Sequence, residues 1–215
     1  MSTDTLFFDL DGTLVDSEAG IVGSILHAFA QMALPAPPAD VLRSWIGPPL
    51  RDSFHAHFDA DPARVEQALA LYRQRYDSQG WREHTVFPQI GAAVEALVAA
   101  GHRLAVVTSK NERFARRIVE TLPFGAHFEQ VVGASDDGQR RFKPDLIAET
   151  LRRLSLQADG CRMIGDRRMD IEGANHHGMR SIGVLWGFGS EDELRAAGAT
   201  QLAAQPAQLP GLVDG

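Results

Sequence analysis

Lysine is nearly absent from this chain. Of 21 lysines and arginines in 215 residues, only Lys110 and Lys143 are lysines. Where lysine is so rare, each one is a stronger functional candidate than usual; for Lys110 survival of a codon bias is an equally fair account. Cysteine is rarer still. Cys161 alone excludes an internal disulfide and fits a reducing compartment. Positive charge is also short: the net charge of −7 and the lack of a basic stripe argue against nucleic acid as a partner. No apolar run approaches the ~20 residues that span a membrane. No basic segment followed by an apolar stretch opens the chain, so no secretory signal is expected and the expected location is cytoplasmic. At 44% hydrophobic and 23% charged residues, the composition is that of a globular protein. Its length suits one large domain or a core with a smaller insert.

The stretch that organises the rest is Thr5-Leu-Phe-Phe-Asp-Leu-Asp-Gly-Thr-Leu-Val-Asp-Ser17. Its apolar start reads as a buried strand, which ends in Asp9-Leu10-Asp11-Gly12. In extended chain, residues two apart point to the same side, so Asp9 and Asp11 converge. At ~4 Å and an effective dielectric near 20 their repulsion costs about 4 kcal/mol. A metal ion or a shared proton offsets such a cost. Gly12 is expected to turn the backbone and to present bare N–H groups.

Residues 17–83 read as a helical block. Ile21, Val22, Ile25, Leu26 and Phe29 recur at helical period, Gly47-Pro48-Pro49 is a rigid turn, and Asp61-Pro62 opens a longer helix. From Gln89 onward strands and helices alternate. Apolar strands are expected at 103–107, 129–132, 161–164 and 181–185, with helices between them, which indicates a parallel sheet covered on both faces. The fold class is therefore α/β, a Rossmann-like open parallel sheet of residues 1–16 and 84–215 interrupted by a small helical domain at 17–83. Ligands of such sheets bind outside the carboxyl ends of the strands. Asp9/Asp11, Thr108/Ser109 and Gly165/Asp166 all fall at expected strand ends, and Lys143 opens a helix after another strand.

Those residues form a chemical set. Asp166 and Asp170, four apart, share one face of a helix start, and with Asp9 they offer the hard oxygen ligands that suit Mg²⁺. Thr108 and the Ser109 N–H sit at a strand-to-helix junction suited to an anion. Lys143 supplies a compact positive charge for a phosphate. The set fits phosphoryl transfer, with Asp9 attacking phosphorus and Asp11 serving as acid and then base.

Phe8-Asp-Leu-Asp-Gly-Thr-Leu-Val15, Val107-Thr-Ser109, Lys143-Pro144 and Gly165-Asp-Arg-Arg-Met-Asp170 stand in order and resemble the four motifs of the haloacid dehalogenase superfamily. The branch it resembles carries a helical cap after the first strand. That resemblance implies Mg²⁺ held by Asp9, the backbone carbonyl of Asp11 and Asp166, with Asp170 supporting the metal nearby or through water. It implies Asp9, Asp11, Thr108 and Lys143 as catalytic residues, and Leu10, Gly12, Thr108, Ser109 and Lys143 around the phosphate. The second aspartate, Asp11, favours phosphoryl transfer over dehalogenation. The absence of lysine from 17–83 argues against phosphonatases, which form a Schiff base on a cap lysine. Hexose-phosphate mutases of this branch carry a cap histidine where Ile21 stands, His27 being the nearest substitute.

Trp45-Ile-Gly-Pro-Pro-Leu50 and Trp186-Gly-Phe-Gly189 are similar to the phosphoglycolate phosphatase/5′-nucleotidase-like group. In that light Arg51 meets a second anionic group of the substrate, or it is a solvated arginine after an interhelix turn. Trp186 and Phe188 border the entrance or pack the core edge. The expected activity is Mg²⁺-dependent hydrolysis of a small phosphorylated metabolite by a monomer or homodimer. The alternatives are a hexose-phosphate mutase and a non-catalytic phosphate-binding protein. His55, His57, His176 and His177 are expected at the surface, and Cys161 in the core.

Overall fold

Thr5–Phe8 forms strand β1, whose residues Leu6, Phe7 and Phe8 are wholly buried, as a strand covered on both faces must be. The computed structural model describes residues 3–214. After β1 the chain runs through β2 (Val15–Asp16), α1 (Glu18–Gln31), α2 (Ala39–Ser44), α3 (Leu50–His57), α4 (Pro62–Ser78) and β3 (Thr85–Val86). It continues with α5 (Ile90–Ala99), β4 (Arg103–Asn111), α6 (Glu112–Val119), β5 (Phe128–Ala134), α7 (Lys143–Leu154) and β6 (Cys161–Gly165). Last come α8 (Arg168–His176), β7 (Arg180–Val184), α9 (Glu191–Ala196), β8 (Gln201–Ala203) and α10 (Leu209–Asp214). Among the described residues no helix is long and apolar enough to cross a membrane.

Six strands form one parallel sheet in the order β5-β4-β1-β6-β7-β8. The fold is thus the α/β, Rossmann-like parallel sheet. Phe8 lies opposite both Val106 of β4 and Ile164 of β6, and the ladder extends one residue further through Asp9 N–H to Ile164 O at 2.9 Å. The strand order diverges on either side of β1, which leaves a crevice at its carboxyl end. Phe7, Ala105, Val107, Cys161 and Met163 pack with Leu146 and Ile147 of α7 in a core beneath that end. Cys161 is buried there, and burial pushes its thiol up to about 11.

The chain packs as two compact units, one running to Val15 and resuming at Val86, the other Asp16–Thr85. The second is helical. The Asp61 carboxylate accepts the N–H groups of Ala63 and Arg64 and caps α4, with Pro62 at its first position. Its interior is aromatic: Phe29 stacks on Phe58 with centroids 5.7 Å apart, and Trp45 meets Phe54 edge-on at 5.6 Å. His57 sits edge-on to Phe29 at 5.1 Å, on the exposed side of that cluster.

Strand β4 extends past Val107 to Asn111, four residues further than its apolar run suggests. The reason is a bulge: pairing with β5 shifts between Val107 and Asn111, so the polar Thr108-Ser-Lys110 stays in the strand. Asn111 then caps α6 through the Arg113 N–H.

Candidate active site

Each polar side chain of the site is held at the carboxyl edge of the sheet by the strand or helix that ends or begins there. Asp9, Asp11, Thr108, Lys143, Asp166 and Asp170 are all buried. Lys143, the first residue of α7, directs its ammonium to three acceptors: Val107 O at 2.8 Å, Asp9 Oδ1 at 2.9 Å and Asp170 Oδ1 at 2.6 Å. Burial alone would push the Lys143 ammonium down, but Asp170 and Asp9 outweigh it and hold the group above its ordinary value. His177 Nε2 lies 2.8 Å from Pro144 O and ties the start of α7 to the segment after α8, while His176 is exposed.

Asp9, Asp166 and Asp170 each bring a carboxylate oxygen within 4.8 Å of the others. Burial pushes Asp9 up to about 6; Lys143 opposes the rise, and Asp170 and Asp11 add to it. Burial, then the neighbouring Asp170 and Asp9, hold Asp166 well above the usual carboxylate range. Three buried carboxylates against one ammonium leave negative charge uncompensated. A hard divalent cation with oxygen ligands fits that excess, and the all-carboxylate donor set suits such an ion rather than a softer metal. Asp170 also accepts the Arg167 N–H at 3.0 Å, so one carboxylate both fixes the start of α8 and pairs with Lys143.

Gly12 has a different role from the one its sequence context suggests. Its N–H donates to Val15 O at 2.8 Å and closes the turn after Asp11, so it is not a bare donor for an anion. Glycine is needed because φ is +85° and because a Cβ would lie 2.2 Å from Asp166 Oδ2. Leu10 is wholly buried beneath the turn, and its carbonyl accepts the N–H groups of Leu14 and Val15. Thr108 Oγ1 accepts the Lys110 N–H at 3.2 Å, and Ser109 is half-buried beside it.

Trp186-Gly-Phe-Gly189 forms a wall against Asp166. The Phe188 N–H donates to Asp166 Oδ2 at 2.8 Å, and the Trp186 indole N–H donates to Thr13 O at 3.0 Å. A Cβ on Gly187 would stand 2.3 Å from Gly12 O, so only glycine allows this approach. In the helical unit, Arg51 forms a forked ion pair with Glu66 on its surface.

Lys110, for which the sequence left a functional role and a codon bias equally open, also reaches this cluster. Its ammonium lies 2.8 Å from Asp11 Oδ2, with both side chains almost fully buried. One signal pointed to it, the scarcity of lysine.

A sequence model of haloacid dehalogenase-like hydrolases matches residues 6–184. A Pseudomonas aeruginosa 5′-nucleotidase is 43% identical over 209 residues, covering 97% of this chain and 95% of that protein. The Mycobacterium tuberculosis tyrosine-protein kinase PtkA is 40% identical over 191 residues, covering 89% of this chain and 65% of that protein. Among solved structures, a predicted phosphatase from Clostridium acetobutylicum superposes with a TM-score of 0.94 at 33% identity, covering 99% of both chains.

Proposed function

Because this chain belongs to the haloacid dehalogenase-like hydrolases, we propose that it is a Mg²⁺-dependent phosphatase of small phosphomonoesters that works through an aspartyl-phosphate on Asp9. The observation that carries this reading is the buried constellation at the end of β1: Asp9 held by Lys143, Asp11 two residues on, and Asp166 and Asp170 completing a carboxylate cluster. The relatives named 5′-nucleotidase and phosphoglycolate phosphatase support the same class of substrate.

In this reading Asp9, the Asp11 carbonyl and Asp166 hold the metal, with Asp170 beside them. Bound there, the ion neutralises the carboxylates and draws charge from the phosphoryl oxygens. Asp9 forms a bond to phosphorus as the ester oxygen leaves with a proton from Asp11. Asp11 then takes a proton from the water that cleaves the aspartyl-phosphate. Lys143 keeps Asp9 aligned, and Thr108 and Ser109 meet the phosphoryl oxygens. The unit 16–85 is assigned the role of a cap. Arg51 is assigned to a second anionic group on the substrate, which requires it to exchange Glu66 for that group.

A second reading has one observation in its favour, the 40% identity to a protein named tyrosine-protein kinase. The same phosphoenzyme could pass its phosphoryl group to a tyrosine hydroxyl in place of water. Phosphate release from a panel of phosphomonoesters, with Mg²⁺ and with chelator, tests the main reading. Mg²⁺-dependent release supports it. No release, with transfer to a tyrosine peptide instead, would replace it with the second.

A further inference from the structure

We propose that Lys110 is a positioning residue for the acid–base step: it fixes the Asp11 carboxyl by one oxygen and offsets the charge that appears there when Asp11 gives up its proton. The inference rests on the phosphatase reading above and extends it to a residue outside the four motifs.

The geometry is specific. Lys110 Nζ lies 2.8 Å from Asp11 Oδ2, while Asp11 Oδ1 is buried and has no hydrogen-bond partner among the described residues. An unsatisfied buried carboxylate oxygen is costly and calls for an explanation. One oxygen is therefore tethered, and the other remains to carry a proton. The tether is itself built rigidly. The bulge of β4 between Val107 and Asn111 redirects the strand beside β1, the Lys110 N–H is held by Thr108 Oγ1, and the next residue is locked as the cap of α6. Lys143 does not serve instead: its ammonium bonds Val107 O and pairs with Asp9 and Asp170.

The chemistry follows from where charge moves. As the Asp9 oxygen–phosphorus bond forms and the ester oxygen–phosphorus bond breaks, the proton on Asp11 passes to the leaving oxygen. The negative charge left on Asp11 then faces an ammonium already in place. That ammonium is preorganised: it stabilises the carboxylate as the proton leaves, without having to move. In the second half-reaction the attacking water's oxygen bonds to phosphorus and its proton returns to Asp11, as the Asp9–phosphorus bond breaks. A purely structural ion pair would lack this link to the leaving group.

The test uses leaving groups. The value of kcat/KM reports only the steps up to release of the leaving group, so it isolates the first half-reaction. Lys110→Met is compared with the unsubstituted protein, both with Mg²⁺, on two esters. One is an alkyl phosphomonoester hydrolysed in the panel above, whose leaving oxygen needs a proton. The other is 2,4-dinitrophenyl phosphate, whose leaving oxygen does not. The expected result is a kcat/KM loss of about 100-fold on the alkyl ester and a far smaller loss on the dinitrophenyl ester, with Lys110→Arg recovering part of the difference. Hydrolysis of the dinitrophenyl ester also shows that the variant is folded. Equal losses on both esters would overturn the proposal. If the unsubstituted protein hydrolyses neither ester, the phosphatase reading fails, and this one with it.

Discussion

Changing one oxygen of Asp9 to an amide nitrogen keeps the side chain's shape but removes its nucleophilic charge. Asp9→Asn is expected to lower phosphate release by roughly 10³-fold or more with an unchanged circular dichroism spectrum. Retained turnover would point to direct attack by water. At this scale the residues of the buried cluster were legible because their types are unusual for their places: two carboxylates at a strand end, and a lysine in a chain nearly without lysine. Lys110 was less legible. Its partner Asp11 lies almost a hundred residues away, and the strand that joins them through the fold appears to stop three residues earlier when judged by apolar character alone. Gly12 was misread for the opposite reason: a glycine after two aspartates has several uses, and only the fold shows that its N–H closes on Val15.

Among the elements, α6, β5 and α7 are joined by ions as well as by apolar contact. Glu112, the first residue of α6, receives Arg116, Arg140 and Arg153 together with the Gly133 N–H, and Glu149 of α7 receives Arg152 and Arg153. Burial would raise Glu112, but Arg153, Arg116 and the Gly133 N–H overcome it and hold the carboxyl down at about 2. Hydrogen bonds from Arg152 and Arg153 hold Glu149 at about 2 as well. Both values lie below the ordinary 4.5, so the stabilisation is fully present above that pH and is lost as pH falls towards 2. Because these groups are partly solvated, the two together are expected to contribute only about 1–2 kcal/mol. Thermal midpoints should therefore drop between pH 5 and pH 2.5, and Glu112→Gln should flatten that slope; an unchanged slope would place the acid sensitivity elsewhere. Most long elements were legible from period and caps. The segment after Gly189 was not: α9, β8 and α10 are three to six residues long, and β8 exists only because β7 offers it an edge. Pairing of that kind leaves no local pattern.

For the molecule as a whole, the carboxylate cluster means that folding brings together charges that the unfolded chain keeps apart. A cation bound there is linked to folding and stabilises the native state by mass action. At a hundred times its dissociation constant the gain is about 2.7 kcal/mol, or roughly 5–10 °C for a chain of this size. Mg²⁺ is expected to raise the thermal midpoint by that order and chelator to reverse it, in Asp9→Asn less than in the unsubstituted protein. No shift with Mg²⁺ at millimolar concentration would remove the metal from the reading.

Both lysines lie in the interior, with side chains 6% and 1% exposed. A lysine-specific protease therefore finds no accessible site on the folded protein. Lys143 is followed by Pro144, a bond such enzymes cut poorly, so proteolysis should sever the chain once, between Lys110 and Asn111. The rate of that single cut measures how often the interior opens. A slower cut in Mg²⁺ would read metal binding without any substrate or turnover.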